Sequence, residues 1–507
     1  MKKTGLTTLF ILYFVMLSFS QNRNSVWVFG DSAGIDFRNL NNPIPFFSSM
    51  DGRGSCVSIC DSVGNLVLYS YTEAIGSAWS TRVHNRFLQP VLGADSITGE
   101  AWYNELVIIP KPGSNHEYYL LSLGMAEPIN QGLFYTTIDI NANGGLGAIT
   151  NQNIQLNNVR NADCVQAIKH GNGRDWWIIG KYSDFNSTRY NRFFIYLVTP
   201  NGFTNPVIQD FNNTTDIDFQ KLVVSPDGTK ILQIQINGFM CKFDFDRCTG
   251  FISNPSVIYP EQTSNFNRLF WEGAFSLSGN IFYATTAALL IDDEYHLLQF
   301  DFASSNIPGS CDTLETWSDT TSLIGPGAVR LAPDGKIYFS RAYQCNAFPF
   351  CYPYPDSVHN YVNEYLSVIN NPDVIGSGCD YQRFSFYLGG KRTYYGLPNN
   401  PNYELGPVIG SACDSLFLNS PETIKSDSML HLIVFPNPSA TGIFHFQLSD
   451  KTEKINFIEV YDVTGRIVFT TNRNVHEVNI SSLLSGIYYY KVRTITEKVF
   501  NGKLVME

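Results

Sequence analysis

The chain has 507 residues, of which 44% are hydrophobic, 14% aromatic and 16% charged, with a formal net charge of -11. The charged fraction lies below the roughly 25% of an average globular protein, so polarity comes mainly from Asn, Ser, Thr, Gly and Tyr. These figures exclude a disordered chain, a coiled coil and a polytopic membrane protein. The acidic balance argues against a nucleic-acid partner, because phosphate contacts need clustered Lys and Arg.

Residues 1–20 have the pattern of a secretory signal peptide. Lys2 and Lys3 precede an apolar run at 9–17, and small residues follow, so we predict cleavage after Ser20. The apolar run is much shorter than the roughly 20 residues that a membrane-spanning helix needs. We therefore expect an exported chain whose mature part has no transmembrane segment.

A glycine-containing turn recurs along the chain at intervals of 49 to 60 residues. A short β-type run follows most of these turns, and Pro-Asp-Gly between two such runs predicts a hairpin, because proline fixes φ and glycine accepts a positive φ. The seven glycines are Gly64, Gly113, Gly173, Gly228, Gly279, Gly335 and Gly390.

A second set of β-type runs lies between these turns, at 135–140, 242–246 and 298–302. Each interval thus contains at least two strand–turn units, and four short strands per unit of this length are typical of a propeller blade. We predict an all-β fold with a seven-bladed β-propeller over 21–400; six or eight blades also fit, because the seventh turn is the weakest. We expect the ring to close where 25–30 lies beside 394–399.

The sequence changes character after residue 400. Residues 401–429 lose the strand pattern and gain Pro, Ser and Gly, which predicts a linker. Residues 430–507 contain seven short strand-like runs, which predict a small immunoglobulin-like β-sandwich. The runs lie at 431–435, 442–448, 455–461, 466–470, 476–480, 487–493 and 499–506.

Four ordered segments of this tail, at 434–448, 458–469, 478–492 and 503–507, resemble the type A C-terminal sorting domain of the bacterial type IX secretion system. The resemblance implies that the signal peptide carries the chain across the inner membrane and that the type IX machinery recognises the tail. It also implies cleavage of the tail, with the passenger secreted or attached to the outer cell surface. The motif positions in this sequence are Pro436, Asn437, Pro438, Gly442, Asp462, Gly465, Gly486, Tyr488 and Lys503.

The body of the chain resembles the secreted propeller proteins that often precede such a tail. Segments such as 27–37, 107–123 and 329–340 show this similarity, which extends over nearly the whole mature chain. That family is defined by architecture, so the resemblance implies no particular substrate. This sequence has only a short linker before the tail, without an additional immunoglobulin-like module.

The chain has ten cysteines, and export places them in an oxidising compartment where disulfides persist. Their spacing makes Cys241 with Cys248 and Cys345 with Cys351 candidate disulfides, whereas the other six cannot be paired from sequence. The paired CxxC spacing of structural zinc sites is absent, so we predict no metal site. We also predict no cofactor.

Catalytic motifs are missing from the sequence: it has no GxSxG elbow, no HExxH and no P-loop. The segment 139–144 resembles the start of an EF-hand loop, but Thr150 stands where calcium binding needs a bidentate Glu, so we predict a polar turn. We predict no catalytic residues, although a site assembled around a propeller axis leaves no local motif.

Three functions remain open at this stage. The first is a secreted or surface-displayed, non-enzymatic propeller that binds a protein or a glycan in adhesion or motility. The second is a glycan hydrolase or lyase with acidic residues on the propeller axis, which requires two partly buried carboxylates, or a His with a carboxylate, in one axial pocket. The third is a structural component of an extracellular layer, which predicts self-association.

Overall fold

The chain forms two compact units that divide between Val408 and Ile409. In the described residues of this computed structural model, no helix is both long enough and apolar enough to cross a bilayer. The described residues are 22–52, 54–75, 78–99, 104–124, 131–183, 191–212, 219–261, 269–287, 294–318, 323–344, 360–414, 432–448, 453–462, 466–472, 476–496 and 498–506.

The first unit contains seven antiparallel sheets in chain order within its described residues. Sheets 1 and 2 have three strands each: β1 (Val26–Phe29), β2 (Ala33–Asp36) and β3 (Ile44–Pro45), then β4 (Cys56–Cys60), β5 (Leu66–Ile75) and β6 (Ala78–Asn85). Sheet 3 has four: β7 (Leu106–Pro110), β8 (Glu117–Gly124), β9 (Gly132–Asp139) and β10 (Ala148–Asn157).

Sheet 4 has five strands, because two short ones pair with β13. They are β11 (Asn161–Lys169), β12 (Trp176–Tyr182), β13 (Asn191–Thr199), β14 (Gly202–Phe203) and β15 (Val207–Phe211). Sheet 5 comprises β16 (Gln220–Val224), β17 (Lys230–Gln235), β18 (Met240–Phe245) and β19 (Ile252–Tyr259).

Sheets 6 and 7 again have four strands each. Sheet 6 comprises β20 (Leu269–Phe275), β21 (Ile281–Ala287), β22 (Glu294–Asp301) and β23 (Asp312–Ser318). Sheet 7 comprises β24 (Leu323–Leu331), β25 (Ile337–Gln344), β26 (Tyr365–Ile369) and β27 (Tyr381–Tyr387). The helices are α1 (Ala142–Gly145), α2 (Asn360–Glu364) and the 3₁₀ turns Pro308–Ser310 and Gly376–Cys379.

The seven sheets are arranged in a ring. The first strands of consecutive sheets contact one another from β1 through β4, β7, β11, β16 and β20 to β24. The ring closes between sheets 7 and 1, where Trp27 and Phe37 pack edge-to-face on Tyr338 with centroids 6.0 and 5.5 Å apart. The predicted all-β propeller is therefore confirmed, with a core of apolar side chains buried between neighbouring sheets.

The predicted contact between 25–30 and 394–399 is also present. The backbone amides of Asp31 and Arg392 donate to each other's carbonyl oxygens at 2.8 and 3.3 Å. At the other end of β1, the side-chain Nδ2 of Asn400 donates to Asn24 Oδ1 at 2.7 Å. Residues 392–400 are thus joined to both ends of β1, and the backbone amide of Asn399 also donates to the Cys56 carbonyl of β4 at 2.9 Å.

Six of the seven predicted glycine turns join the first two strands of sheets 2 to 7. Gly228, Gly279 and Gly335 illustrate the geometry: each has a φ near +70 to +78°, and its amide donates to the carbonyl three residues earlier. This conformation favours glycine over residues with a side chain. Gly390 differs from the prediction, because it follows β27, the last strand of sheet 7, and joins no first and second strand.

The segment 401–408 differs from the predicted linker. It belongs to the first unit, and Tyr403 within it is only 1% exposed. The segment lacks a strand pattern because it binds the ring through side chains and scattered backbone groups instead of a β-ladder. We call residues 401–408 the strap.

The predicted Cys241–Cys248 disulfide is wrong. Cys248 is disulfide-bonded, as is Cys413, but Cys241 carries a buried thiol that donates to the Lys242 carbonyl at 3.7 Å. Cys241 lies in β18 and Cys248 lies beyond its far end, so an extended strand rising about 3.3 Å per residue separates them. Cys345 and Cys351 lie outside the described residues.

The second unit is the predicted β-sandwich. One sheet comprises β28 (Leu432–Phe435), β29 (Ile443–Leu448) and β32 (Glu477–Asn479). The other comprises β30 (Ile455–Tyr461), β31 (Ile467–Asn472), β33 (Gly486–Thr494) and β34 (Val499–Met506). Alternate side chains of both sheets, including Phe444, Ile458 and Leu504, form one buried core, as the period-two pattern predicts.

Candidate ligand-binding site

A cavity of about 500 Å³ lies at the ring axis. Its mouth is bordered by the glycine turns of four sheets, represented by Val63, Pro226, Leu277 and Pro333. The first strands of sheets 4 to 7 supply its walls, because these strands converge on the axis. The volume falls within the roughly 300–1,000 Å³ of typical small-molecule pockets.

The floor of the cavity is an ion pair joined to an amide. Glu272, in β20, is 1% exposed and accepts from Asn104 Nδ2 at 3.0 Å through one oxygen and from Arg330 Nη1 at 2.7 Å through the other. Arg330 Nη2 in turn donates to Asn104 Oδ1 at 2.5 Å. Three sheets, 3, 6 and 7, are therefore connected across the axis by one closed hydrogen-bonded triangle.

A second ion pair adjoins this floor. Lys221 Nζ, in β16, lies 3.4 Å from Asp163 Oδ2 in β11 and 3.9 Å from Glu272 Oε1. Asp163 and Lys221 are 1% and 5% exposed. Two buried carboxylates are thus balanced by two cations, which offsets the large cost of removing each charge from water.

The segment around Asn399 forms one wall of the cavity. Asn399 Nδ2 donates to the carbonyls of Leu106 and Val165 at 3.2 and 3.1 Å, and its Oδ1 accepts from Gln166 at 3.1 Å. Its backbone amide donates to the Cys56 carbonyl at 2.9 Å. The Asn399 side chain therefore connects sheets 3 and 4 at the axis, and its backbone amide adds sheet 2.

The strap extends this wall across the mouth. The Tyr403 ring packs edge-to-face on Trp176, with centroids 5.9 Å apart, and its hydroxyl donates to the Ile108 carbonyl at 2.7 Å. Asn402 donates to the Pro226 carbonyl at 2.7 Å. Strap residues 401–405 line the cavity, so the wall depends on the strap being held in place.

Two buried cations hold the strap from the ring side. Lys169 Nζ donates to the Tyr403 carbonyl at 3.0 Å, and Arg247 Nη2 donates to the Gly406 carbonyl at 2.6 Å. Burial, together with the nearby positive charge of Arg23, lowers the pKa of Lys169 to about 8. Burial likewise lowers the pKa of Arg247, and it raises the pKa of Tyr403 well above its usual value.

The buried charged groups at the cavity floor are committed to internal pairs. Two carboxylates line the cavity, but Glu272 is fully paired and Glu404 is exposed at the mouth. The lining residues, all in the described part of the chain, include no histidine and no cysteine.

The segment 139–144 adopts a turn as predicted, between β9 and β10, and it contains α1. Asp139 Oδ1 accepts from the Asn141 amide at 2.8 Å and lies 3.0 Å from His116 Nδ1. The described residues contain no group of three or more His, Cys, Asp or Glu side chains arranged to hold a metal ion.

The first sorting-motif residues brace the terminal strand of the sandwich. Asn437 lies between two cis peptide bonds, at Pro436 and Pro438. Its Nδ2 donates to the Lys503 carbonyl at 2.7 Å, and its Oδ1 accepts from the Val505 amide at 2.9 Å. Asn437 and Lys503, two motif positions that are 66 residues apart in sequence, thus meet at β34.

The remaining motif positions lie at turns and in the core. Gly442 has a φ of +70°, and a Cβ there would lie 2.6 Å from Ser481 Cα, so only glycine fits. Tyr488 is 8% exposed and donates its hydroxyl to the Leu484 carbonyl at 2.6 Å. Asp462 accepts from the Arg466 amide at 3.1 Å, and Gly486 begins β33. Gly465 lies outside the described residues.

Sequence reasoning did not identify Asn104, Glu272, Arg330 or Tyr403. Each lies in an ordinary strand or in the presumed linker, and none belongs to a motif. The aromatic residue in an otherwise polar segment of Pro, Asn and Gly was the only local sign that the strap packs on the ring.

Comparison with known proteins supports the assignment of the tail. Residues 433–507 match the family described as secretion system C-terminal sorting domain. This tail directs type IX-dependent secretion to the cell surface or the extracellular space. No curated protein matches the chain.

Among solved structures, the chain is similar to the periplasmic gluconolactonase PpgL of Pseudomonas aeruginosa, with 12% identity and a TM-score of 0.37, over 88% of this chain and 100% of that one. The Dos1 propeller shows 13% identity and a TM-score of 0.36, over 73% and 83% of the two chains. The Swd1 β-propeller domain of Myceliophteria thermophila shows 9% identity and a TM-score of 0.35, over 63% and 92%.

Proposed function

We propose that this secreted propeller binds an extracellular protein or glycan in its axial cavity, in adhesion or motility, and does not catalyse a reaction. The observation that carries the proposal is a ligand-sized axial cavity whose floor charges, Glu272 and Arg330, are neutralised by each other. A floor of this kind offers shape and hydrogen bonding but no free acid, base or nucleophile.

The cavity itself can be tested by filling it. Val224, at the end of β16, lines the cavity, and Val224→Trp would add a bulky side chain there. Val257→Trp is the matched control, because Val257 lies on β19 of the same sheet, is 46% exposed and does not line the cavity. Ligands are captured by a glycan array and by pull-down from the bacterial surface with wild type and both variants.

We expect Val224→Trp to lose the captured ligand and Val257→Trp to keep it, with both variants folded by circular dichroism. Capture that is unchanged in Val224→Trp would place the ligand elsewhere and contradict the proposal. Turnover of a polysaccharide by wild type would favour the hydrolase or lyase alternative, and self-association without any ligand would favour a structural layer component.

For the tail, we propose that the motif residues braced around Asn437 are read by the type IX machinery. Deletion of residues 433–507 should leave the protein in the periplasm, as measured by cell fractionation. Normal surface display without the tail would contradict the role that its sequence family implies.

A further inference from the structure

Within the described residues, the interior of the cavity has no cation free to bind an anionic ligand. Arg330 uses four of its five N–H donors on Glu272, Val329, Asn104 and Pro398. Arg38, near the mouth, binds Asp36 through two bonds, Nε–Oδ1 at 3.0 Å and Nη2–Oδ2 at 2.5 Å. A carboxylate, sulfate or phosphate that entered the interior would therefore have to displace the Glu272–Arg330 pair, whereas the Arg38 side chain is 54% exposed at the mouth.

Amide side chains dominate the polar part of the lining. Asn104 uses two of its four hydrogen-bonding positions within the described part of the chain, Gln166 uses one and Asn399 uses three. An amide presents a donor beside an acceptor without a charge, which matches a hydroxyl that both donates and accepts. The seven lining amides are Asn22, Asn24, Asn104, Gln166, Asn399, Asn400 and Asn402.

Aliphatic side chains supply most of the rest of the surface. Leu40, Val63 and Leu277 border the mouth and are 52%, 69% and 60% exposed, whereas smaller residues such as Ala167 and Ala274 line the interior. This combination of neutral amides with aliphatic surface complements a sugar ring, which carries hydroxyls around its edge and C–H groups on its faces.

A peptide that adds as a β-strand fits this site poorly. Such a peptide needs free backbone groups at a strand edge. Here the carbonyls of Leu106, Ile108 and Val165 on the inner strands already accept from Asn399 or Tyr403. Asn399 and the strap residue Tyr403 thus occupy positions that a peptide backbone would use.

From these observations we infer that the ligand of the axial cavity is the uncharged end of a short saccharide, with Gln166 as a recognition residue. The inference rests on the proposed function, because it names the chemistry of the same site. A cavity of about 500 Å³ holds a short oligosaccharide end, not a folded protein surface.

The test uses the full mature chain against an array that pairs neutral oligosaccharides with matched uronate-bearing and sulfated ones, and with extended peptides. We expect a neutral saccharide to bind, with an affinity that changes less than about twofold between about 0.05 and 0.5 M NaCl, because no ion pair forms with the ligand. Gln166→Leu should weaken binding about tenfold by removing a hydrogen-bonding group.

Gln382→Leu is the matched control, because Gln382 lies on β27, outside the cavity lining, and should change the affinity less than about twofold. Binding of a charged saccharide or a peptide that Gln166→Leu abolishes would overturn the saccharide inference while leaving the cavity as the ligand site. Binding of any ligand that is unaffected by both Gln166→Leu and Val224→Trp would overturn the proposed function itself. The absence of binding by every neutral saccharide in the panel would also overturn the inference.

Discussion

The strap of the ring and the turn around Asn437 of the sandwich are both joined to distant parts of their own unit, but one is buried and the other exposed. Each fixes a segment near the end of its own unit by hydrogen bonds to backbone groups. The strap does so with a buried aromatic ring, since Tyr403 is 1% exposed and reaches Ile108, nearly 300 residues earlier. The Asn437 turn does so with an exposed amide that binds β34, 66 to 68 residues away.

The difference teaches how stability and recognition are divided between the two units. A buried contact combines hydrophobic burial with its hydrogen bond, whereas an exposed amide contributes little beyond the bonds themselves. The strap is therefore part of the core that shapes the cavity. The Asn437 turn orders an exposed surface, which is consistent with the proposed recognition of this segment by the secretion machinery.

The largest effect is expected at Tyr403. Tyr403→Ala should lower the free energy of unfolding of the first unit by about 4 kcal/mol, because it removes a fully buried ring and its hydrogen bond. The measurement is chemical denaturation, combined with hydrogen exchange at the Val408 amide, which donates to the Gly171 carbonyl at 2.8 Å in the native strap.

Tyr403→Phe and Tyr283→Phe separate positioning from stability. Tyr403→Phe removes a buried bond to the Ile108 carbonyl at 2.7 Å and should cost about 1 kcal/mol. Tyr283→Phe removes a buried bond to the Pro372 carbonyl at 2.9 Å and one accepted from Gln299 Nε2 at 2.7 Å, so it should cost at least as much. Only Tyr403→Phe should speed exchange at Val408 and weaken ligand binding. Equal effects of both variants on ligand affinity would mean that Tyr403 has no positioning role.

An intermediate effect is expected at Lys169. Because its pKa falls from 10.5 to about 8 on folding, the unfolded chain binds more protons between these two values, and the Lys169 contribution to stability rises with pH in that window. Lys169→Met removes this contribution. As the pH rises from about 7.5 to 10, the free energy of unfolding of the variant should therefore fall behind that of wild type by about 2 kcal/mol.

Wild type must be compared with Lys169→Met because other buried groups make the stability fall as the pH rises. Burial raises the pKa of the Cys56 and Cys60 thiols to about 12, so their contributions fall as pH rises above about 9. A stability difference between wild type and Lys169→Met that stays constant over this range would show that Lys169 is solvated in the native ring.

The smallest effect is expected in the sandwich. Asn437→Ala should lower the stability of the second unit by about 1 kcal/mol, because it removes two exposed hydrogen bonds. It should also speed hydrogen exchange at the Val505 amide. Asn501→Ala, an exposed position on the same terminal strand, is the control and should do neither. If Asn437→Ala destabilised the second unit more than Tyr403→Ala destabilises the first, the strap would not be the more strongly stabilising of the two segments.

The strands and turns of both units followed from local sequence patterns. Pro-Asp-Gly at Gly228 and Gly335 predicted hairpins that are present, because turn chemistry acts over four residues. The seven runs of the tail match β28 to β34 within two residues at each end, because alternation of apolar and polar residues defines a half-buried strand. The resemblance to the sorting domain rested on such local motifs as well.

Contacts between distant parts of the chain were not predicted from the sequence. The Cys241–Cys248 pairing failed because proximity in sequence does not bring the ends of an extended strand together. The Gly390 turn resembled its six counterparts in composition but lies after a sheet has ended. The strap had the composition of a linker, although its residues bind ring groups that are more than 150 positions away.

The sequence by itself determined that this is an all-β, exported chain with a sorting tail, because strand periodicity, turn residues and targeting motifs are properties of short segments. Only the tertiary structure decided where a ligand can bind. The axial cavity exists because Asn104, Glu272, Arg330 and Asn399 come from four separate stretches of chain and meet when the ring closes. The meeting of these four residues depends on how the sheets pack around the axis, and it cannot be read from the local preferences of side chains.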